Sequence, residues 1–331
     1  MPGLVDLLRK KGPQGGLDLR QETVAVTGGN GFFGHKLVEA LLAAGTCRVV
    51  SMDLAHTRAF VPSEQLRLAK VDIRDAAAVQ GAIEGVTMVV HSASFFGQPA
   101  FGSFGDGADV YAVNVGGTQN VLDAALTAGS KVQRLVYISS SSAILGGDRE
   151  FVDAPEDTPY PTSYLDHYGP SKAAAERLVL AADSDRLRTC VVRPSGIYGI
   201  GETLHLPRIL TIGDRLFNYI PIYFAGRPVT VRKLNFFFFN IIMPLNKFAC
   251  QDWTHVDNLS WGTFLAFDGL GVQGMARKEI LHITDGPAIE NLDFFRPSLE
   301  ACGNTIIPLF PVTFWLMLPF VILAELFCLY A

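Results

Sequence analysis

A chain of 331 residues is long enough for a large core and for one main domain with a smaller lobe. With 18% charged and 49% hydrophobic residues and a net charge of −5, it is neither disordered nor equipped with a basic footprint for nucleic acid. Its five cysteines are odd in number and never form a CxxC, which argues against a disulfide framework or a zinc site and reads as reduced thiols facing the cytosol.

Residues 1–21 carry no sustained apolar core and no small-residue cleavage site, so they read as a flexible leader and not as a secretory signal. Strand-length apolar runs follow: "TVAVT" (23–27), "RVVSM" (48–52), "LRLAKVD" (66–72), "TMVVHSA" (87–93), "RLVYISS" (134–140) and "RTCVVRP" (188–194). None alternates with polar residues, as strands covered on both faces require. Helical stretches fall between them at 34–44, 76–83, 110–128 and 171–182, and Leu37, Leu41 and Leu42 share one face of the first. The alternation predicts an α/β fold, a Rossmann-type doubly wound parallel sheet, over 22–200, with 253–284 returning to it. A small C-terminal substrate lobe is expected from 201–252 and 285–331.

The loop after the first strand, "TGGNGFFG", spaces Gly28, Gly31 and Gly34 as GxxGxxG, with Phe32 and Phe33 inside the motif. Glycines there let the backbone turn tightly and approach a pyrophosphate, whose charge meets amide donors at a helix N-terminus. Asp53 ends the second strand at about the offset from Gly34 where a carboxylate takes an adenosine ribose diol. It would repel a 2′-phosphate, so NAD is expected over NADP; the other reading is a solvated loop aspartate. His56 and Arg58 follow closely and would soften the discrimination. Asp72 and Ile73, in "VDIRD", sit where they would flank the adenine.

In "DHYGPSKAAAE" (166–176), Tyr168 precedes Lys172 by one helical turn. Random order alone yields roughly a quarter of one such pair in a chain of this composition, so an exposed helix pair is the competing reading. In company with "VTGGNGFFG", "VDIRD", "VVHSAS", "VNVGGTQNVLDAA", "LVYISSSSAILGG", "RPSGIYGIGE", "WTHVDN" and "HITDGPAIENLDFFRP", the stretch resembles the extended short-chain dehydrogenases/reductases over about residues 22–310. The resemblance is to the 3β-hydroxysteroid dehydrogenase/isomerase-like group, and within it to the 42E branch.

That resemblance implies an oxidoreductase acting on the CH–OH group of a 3β-hydroxysteroid or sterol, with NAD as hydride carrier. Tyr168 is then the general base in oxidation and the general acid in reduction. Lys172 would lower the phenol's pKa and reach the nicotinamide ribose. Ser141 is expected to donate to the substrate oxygen, with Ser140 as runner-up; serines at a strand end also often only cap turns. Asn114 would steady the lysine through water, or be a helix cap. Ala93, Pro194 and Ile197 would lie along the cofactor, the last two at its nicotinamide end. His255 and Asp257 look structural. No metal constellation is present: the sequence holds no HExxH and no paired cysteines.

Two segments depart from the family pattern. Residues 229–252, with four consecutive phenylalanines, read as a greasy lid over an apolar pocket or as translated intron sequence, since phenylalanine codons spell a pyrimidine run. From 305 to 324 the chain carries no charge but is broken by Pro308, Pro311 and Pro319, which fits membrane contact through 305–331 or a packed lobe better than a clean span. The substrate lobe is also expected to be shorter than in related chains. The expected setting is the cytoplasmic side, at the endoplasmic reticulum membrane, with a homodimer as a further expectation. Two other functions compete: a nucleotide-sugar epimerase or reductase on the same scaffold, and a non-catalytic NAD-binding, membrane-associated protein.

Overall fold

The computed structural model describes residues 17–96, 107–146, 153–164, 166–207, 209–210, 219–222, 250–271 and 274–308. Seven parallel strands form one sheet: β1 Thr23–Thr27, β2 Arg48–Asp53, β3 Leu66–Lys70, β4 Met88–His91, β5 Arg134–Ile138, β6 Arg188–Pro194 and β11 Ile280–Ile283, in the order β11-β6-β5-β4-β1-β2-β3. The order reverses between β1 and β4, and a crevice opens at the carboxyl ends of strands flanking such a switch point. The expected doubly wound sheet is therefore present, with one strand, β11, that apolar patterning did not single out. Its residues are all half-buried, because it is the edge strand beside β6.

Successive residues of β1 go to opposite faces. Val24 and Val26 pack with Leu37, Val38 and Leu41 of α1 (Phe32–Ala43), and with Leu259 and Phe267 of α6 (Val256–Gly269). Ala25 packs on the other face with Val79 of α2 (Ala76–Ala82), Val121 and Leu122 of α4 (Gly117–Leu126), and Ala175 and Val179 of α5 (Tyr168–Ala181). Burial on both faces is why β1, β2, β4, β5 and β6 read as unbroken apolar runs. The run at 66–72 was expected to be covered as well, but β3 is an edge strand and leaves Arg67, Leu68 and Lys70 exposed. Short strands build the rest: β7 (Gly196–Tyr198) pairs with β10 (Trp253–His255), β8 (Tyr219–Ile222) with β13 (Thr305–Pro308), and β9 (Cys250–Gln251) with β12 (Ile289–Glu290). They are joined by α7 (Asn291–Ala301).

The end of the expected flexible leader is not free. Leu17 and Leu19 are buried in the core on the α1 side, and the Cys47 amide donates to Leu19 O, because two leucines here find an apolar face to cover. No helix among the described residues is long and apolar enough to cross a membrane. The phenylalanine run and the end of the apolar tail, 309–331, lie outside the described residues.

Candidate active site

The loop between β1 and α1 is built for close approach. Gly28 has φ 68°, and a Cβ there would come within 2.9 Å of the Ala93 backbone beyond β4. Gly34 packs its bare Cα against the Gly28 carbonyl, where a Cβ would collide with backbone. These contacts hold the first turn of α1 against the mouth of the crevice, so the amide ends of the helix face the place where a pyrophosphate belongs. Phe32 and Phe33 begin α1; Phe33 is buried in the core, so it anchors the helix.

Asp53 lies beside this loop at the tip of β2 and accepts hydrogen bonds from the Asn30 and Leu54 amides, both 2.8 Å. Asn30 was not singled out from the sequence, yet its Oδ1 accepts the Thr57 and Arg58 amides and its Nδ2 donates to Arg58 O. The loop carrying His56 and Arg58 is thus fastened to the glycine turn. Asp72 is engaged by Arg74 at 2.7 Å, which holds its carboxyl below the usual range. Ile73 turns its side chain into the core against Gly117, so toward the crevice it offers backbone. The glycines, the β2 carboxylate and Ala93 together fit a dinucleotide.

Tyr168 begins α5, and Asp166 Oδ1 accepts the Gly169 amide at 2.9 Å to cap that first turn. Pro170 is tolerated in the first turn, where its missing N–H would have no helical acceptor. Burial pushes the phenol well above the ordinary tyrosine value, against side-chain hydrogen bonds with Ser94 and Ser140. Phe96 stacks on the ring at 4.2 Å. Lys172, one turn on and 1% exposed, donates from Nζ to Ile138 O at 2.7 Å and lies 4.3 Å from the centre of the Tyr137 ring. Burial lowers its pKa to about 7.

Both groups are buried, and removal from water disfavours the charged form of each. Of the serines, Ser140 meets the phenol, while Ser141 begins the 3₁₀ turn Ser141–Ala143, whose N-cap is Ser140 accepting the Ser142 amide. Ser139 Oγ is buried with no hydrogen-bond partner, so this crest keeps polar capacity that the protein does not use.

Asn114 sits in a single π turn, Ala112–Gly116, inside the helical run from α3 (Ala108–Tyr111) to α4. It is not a helix cap, and its side chain makes its direct hydrogen bonds elsewhere than to the lysine. Its amide donates to Phe95 O and Ser171 Oγ, both 2.9 Å, and its oxygen accepts the Phe95 amide at 2.7 Å. With its side chain spent in this way it clamps the segment after β4 to α5. Pro194 and Ile197 flank Ser195 at the end of β6, where Ser195 Oγ donates to Asp252 O at 2.6 Å. His255 caps α6 by accepting the Asp257 amide, consistent with a structural part.

Residues 25–218 match the model of the 3-beta hydroxysteroid dehydrogenase/isomerase family. Similar proteins include the mouse (Mus musculus) short-chain dehydrogenase/reductase family 42E member 1, 35% identical over 302 residues covering 86% of this chain and 68% of that one. A 3 beta-hydroxysteroid dehydrogenase/Delta 5→4-isomerase of Mycobacterium tuberculosis is also 35% identical, over 85% of this chain and 70% of that one. The chain belongs to the 3-beta hydroxysteroid dehydrogenase/isomerase family. It is thus an oxidoreductase of the extended short-chain dehydrogenase/reductase type, dependent on a nicotinamide dinucleotide. Among solved structures it resembles a Thermus thermophilus UDP-glucose 4-epimerase in complex with NAD, with TM-score 0.65, 25% identity, and 88% of this chain and 86% of that one covered. A Streptomyces venezuelae dTDP-glucose 4,6-dehydratase shares the fold at TM-score 0.67 and 23% identity, over 88% of this chain and 84% of that one.

Within this family member the sequence reading passed over two clusters. Glu176, one turn beyond Lys172 and 0% exposed, forms a two-pronged pair with Arg193 at 2.8 and 2.6 Å and accepts the Tyr160 hydroxyl at 2.7 Å. The signal was a glutamate on the lysine's own helical face, four residues on. Near the nicotinamide end of the crevice expected from Pro194 and Ile197, Trp253 stacks on Phe294 at 4.1 Å and meets Phe295 and Tyr198 edge-on. Those rings lie in separate motifs, so no local pattern joins them.

Proposed function

We propose that this protein oxidises the 3β-hydroxyl of a steroid or sterol with NAD, and runs the reverse reduction, using Tyr168 as the proton-transfer group. The observation that carries the proposal is the buried Tyr168 phenol beside two serine hydroxyls, with a buried lysine one turn behind it. When bound, the nicotinamide supplies the site that accepts or delivers hydride. In reduction Tyr168, kept neutral by burial, gives its proton to the developing alkoxide; in oxidation the phenol must first be deprotonated, and the phenolate oxygen takes the alcohol's proton. Ser140 and Ser141 stand at the crest to donate to the substrate oxygen. Lys172, with a pKa of about 7, supplies positive charge whenever it is protonated. Phe96, exposed and stacked on the Tyr168 ring, offers flat apolar surface of the kind a fused-ring substrate buries. Asp53 supports NAD over NADP, since a 2′-phosphate would bring negative charge beside a carboxylate.

The test is NADH formation from NAD and 3β-hydroxysterols by the parent and by Tyr168→Phe, with UDP-glucose in a parallel arm. Sterol-dependent turnover that falls about 10²–10⁴-fold in the variant is the expected result. Turnover of the sugar nucleotide alone would overturn the substrate assignment, and equal rates in parent and variant would remove Tyr168 from the chemistry.

A further inference from the structure

A buried line of hydrogen bonds runs from the glycine loop to the catalytic helix, and counting protons fixes the direction of every link. Thr118 Oγ1 has one proton and gives it to Asn114 O at 2.6 Å. Its contact with His91 Nε2 at 2.9 Å is therefore one in which the imidazole donates. His91 Nδ1 is then bare and accepts the proton of Thr27 Oγ1 at 2.7 Å. Thr27 Oγ1 in turn accepts the Ser92 and Ala93 amides, each at 3.1 Å. At the far end, Ser171 Oγ accepts from Asn114 Nδ2 and passes its proton to Tyr168 O at 2.7 Å. Thr27, His91, Thr118 and Ser171 are 0% exposed and Asn114 is 1% exposed, so water completes none of these links. Only a neutral imidazole protonated on Nε2 satisfies them all.

The two ends of the line are the two halves of the site. Ala93 abuts Gly28 where the dinucleotide passes, and Ser171 lies between Tyr168 and Lys172 on α5. An imidazole is the side chain that carries an acceptor and a donor on opposite edges, far enough apart to reach both threonines. An asparagine amide overlays the Nδ1 edge alone, and a glutamine amide overlays the Nε2 edge alone. We propose that His91 is a positioning residue that keeps the cofactor crossing at Ala93 in register with the helix carrying Tyr168 and Lys172. The proposal rests on the nicotinamide-dependent reading above.

The experiment compares the parent, His91→Gln and His91→Asn by NAD titration calorimetry without sterol, by sterol turnover, and by thermal melting without either ligand. His91→Gln keeps the donor to Thr118 and loses the hold on Thr27, so its Kd for NAD should rise about tenfold while kcat stays within about twofold. His91→Asn keeps the Thr27 link and loses Thr118, so the pattern should invert, with kcat down about tenfold and Kd within about twofold. A purely structural histidine would lower both melting temperatures and move Kd and kcat alike in the two variants, and that result overturns the proposal, as does no change in either. Should both variants fail to fold, Thr118→Val must reproduce the loss of kcat and Thr118→Ser must restore it; equal behaviour of that pair is the overturning result. A parent that fails to bind NAD overturns the nicotinamide reading itself, and this inference with it. Variants that match a parent able to bind NAD overturn this inference alone.

Discussion

Around His91, each proton from Thr27 to Tyr168 has a named acceptor, whereas around Trp253 the contacts are ring against ring and the indole N–H is buried with no hydrogen-bond partner. The first is held by directional bonds, which define one arrangement of atoms and become expensive when a partner is removed. The second is held by dispersion and burial, which reward filled volume and are indifferent to which apolar atom fills it. A site needs the first kind of order where a proton must move between fixed atoms. The second suffices where apolar volume has only to be filled.

The largest test of that contrast lies under α5. Glu176→Ala would leave Arg193, 1% exposed, without its counter-charge, and should cost about 3–5 kcal/mol in urea unfolding. At the aromatic end, Trp253→Phe removes an unpartnered donor along with part of a ring, and should cost no more than about 1.5 kcal/mol. Equal losses for the two variants would break the distinction between the regions.

A smaller and sharper test uses pH. Burial holds Lys172 down to about 7 from 10.5, and burial together with the Lys172 charge holds His91 down to about 3 from 6.5. In each window the unfolded chain binds a proton that the native protein does not, so each group's contribution to stability rises with pH across its window. The stability difference between parent and Lys172→Met should therefore climb from about pH 7 to 10.5, and that between parent and His91→Gln from about pH 3 to 6.5. The difference for Trp253→Phe should be independent of pH. Urea midpoints across the range read all three, and a sloping line for the tryptophan variant or a flat one for the lysine variant would contradict the assignment of forces.

How much of this was legible in the chain follows from what is local. Five of the apolar runs became β1, β2, β4, β5 and β6, because a strand buried on both faces has no alternative to an apolar sequence; the run at 66–72 became β3, an edge strand with Arg67, Leu68 and Lys70 exposed. The glycine spacing was legible because the first turn of α1 needs bare backbone at Gly28 and Gly34. Edge strand β11 was not, since half-buried Ile280–Ile283 lacks the pattern of a covered strand. Among the serines, a run of four identical residues gives no local reason to prefer Ser140 over Ser141 against the phenol; the sharp bend after β5 decides which hydroxyl faces it.

By itself the sequence determined the alternation of strands and helices, the glycine turn and the Tyr168–Lys172 pair, all features repeated within one or two turns of chain. Tertiary structure alone decided that Asn114 clamps Phe95 to Ser171, that Lys172 rests on Ile138, and that His91 lies between Thr27 and Thr118. Such partners are 19 to 64 residues apart, and a hydrogen bond depends on the final distance and angle between two atoms, which residue type does not encode until the sheet has brought them together.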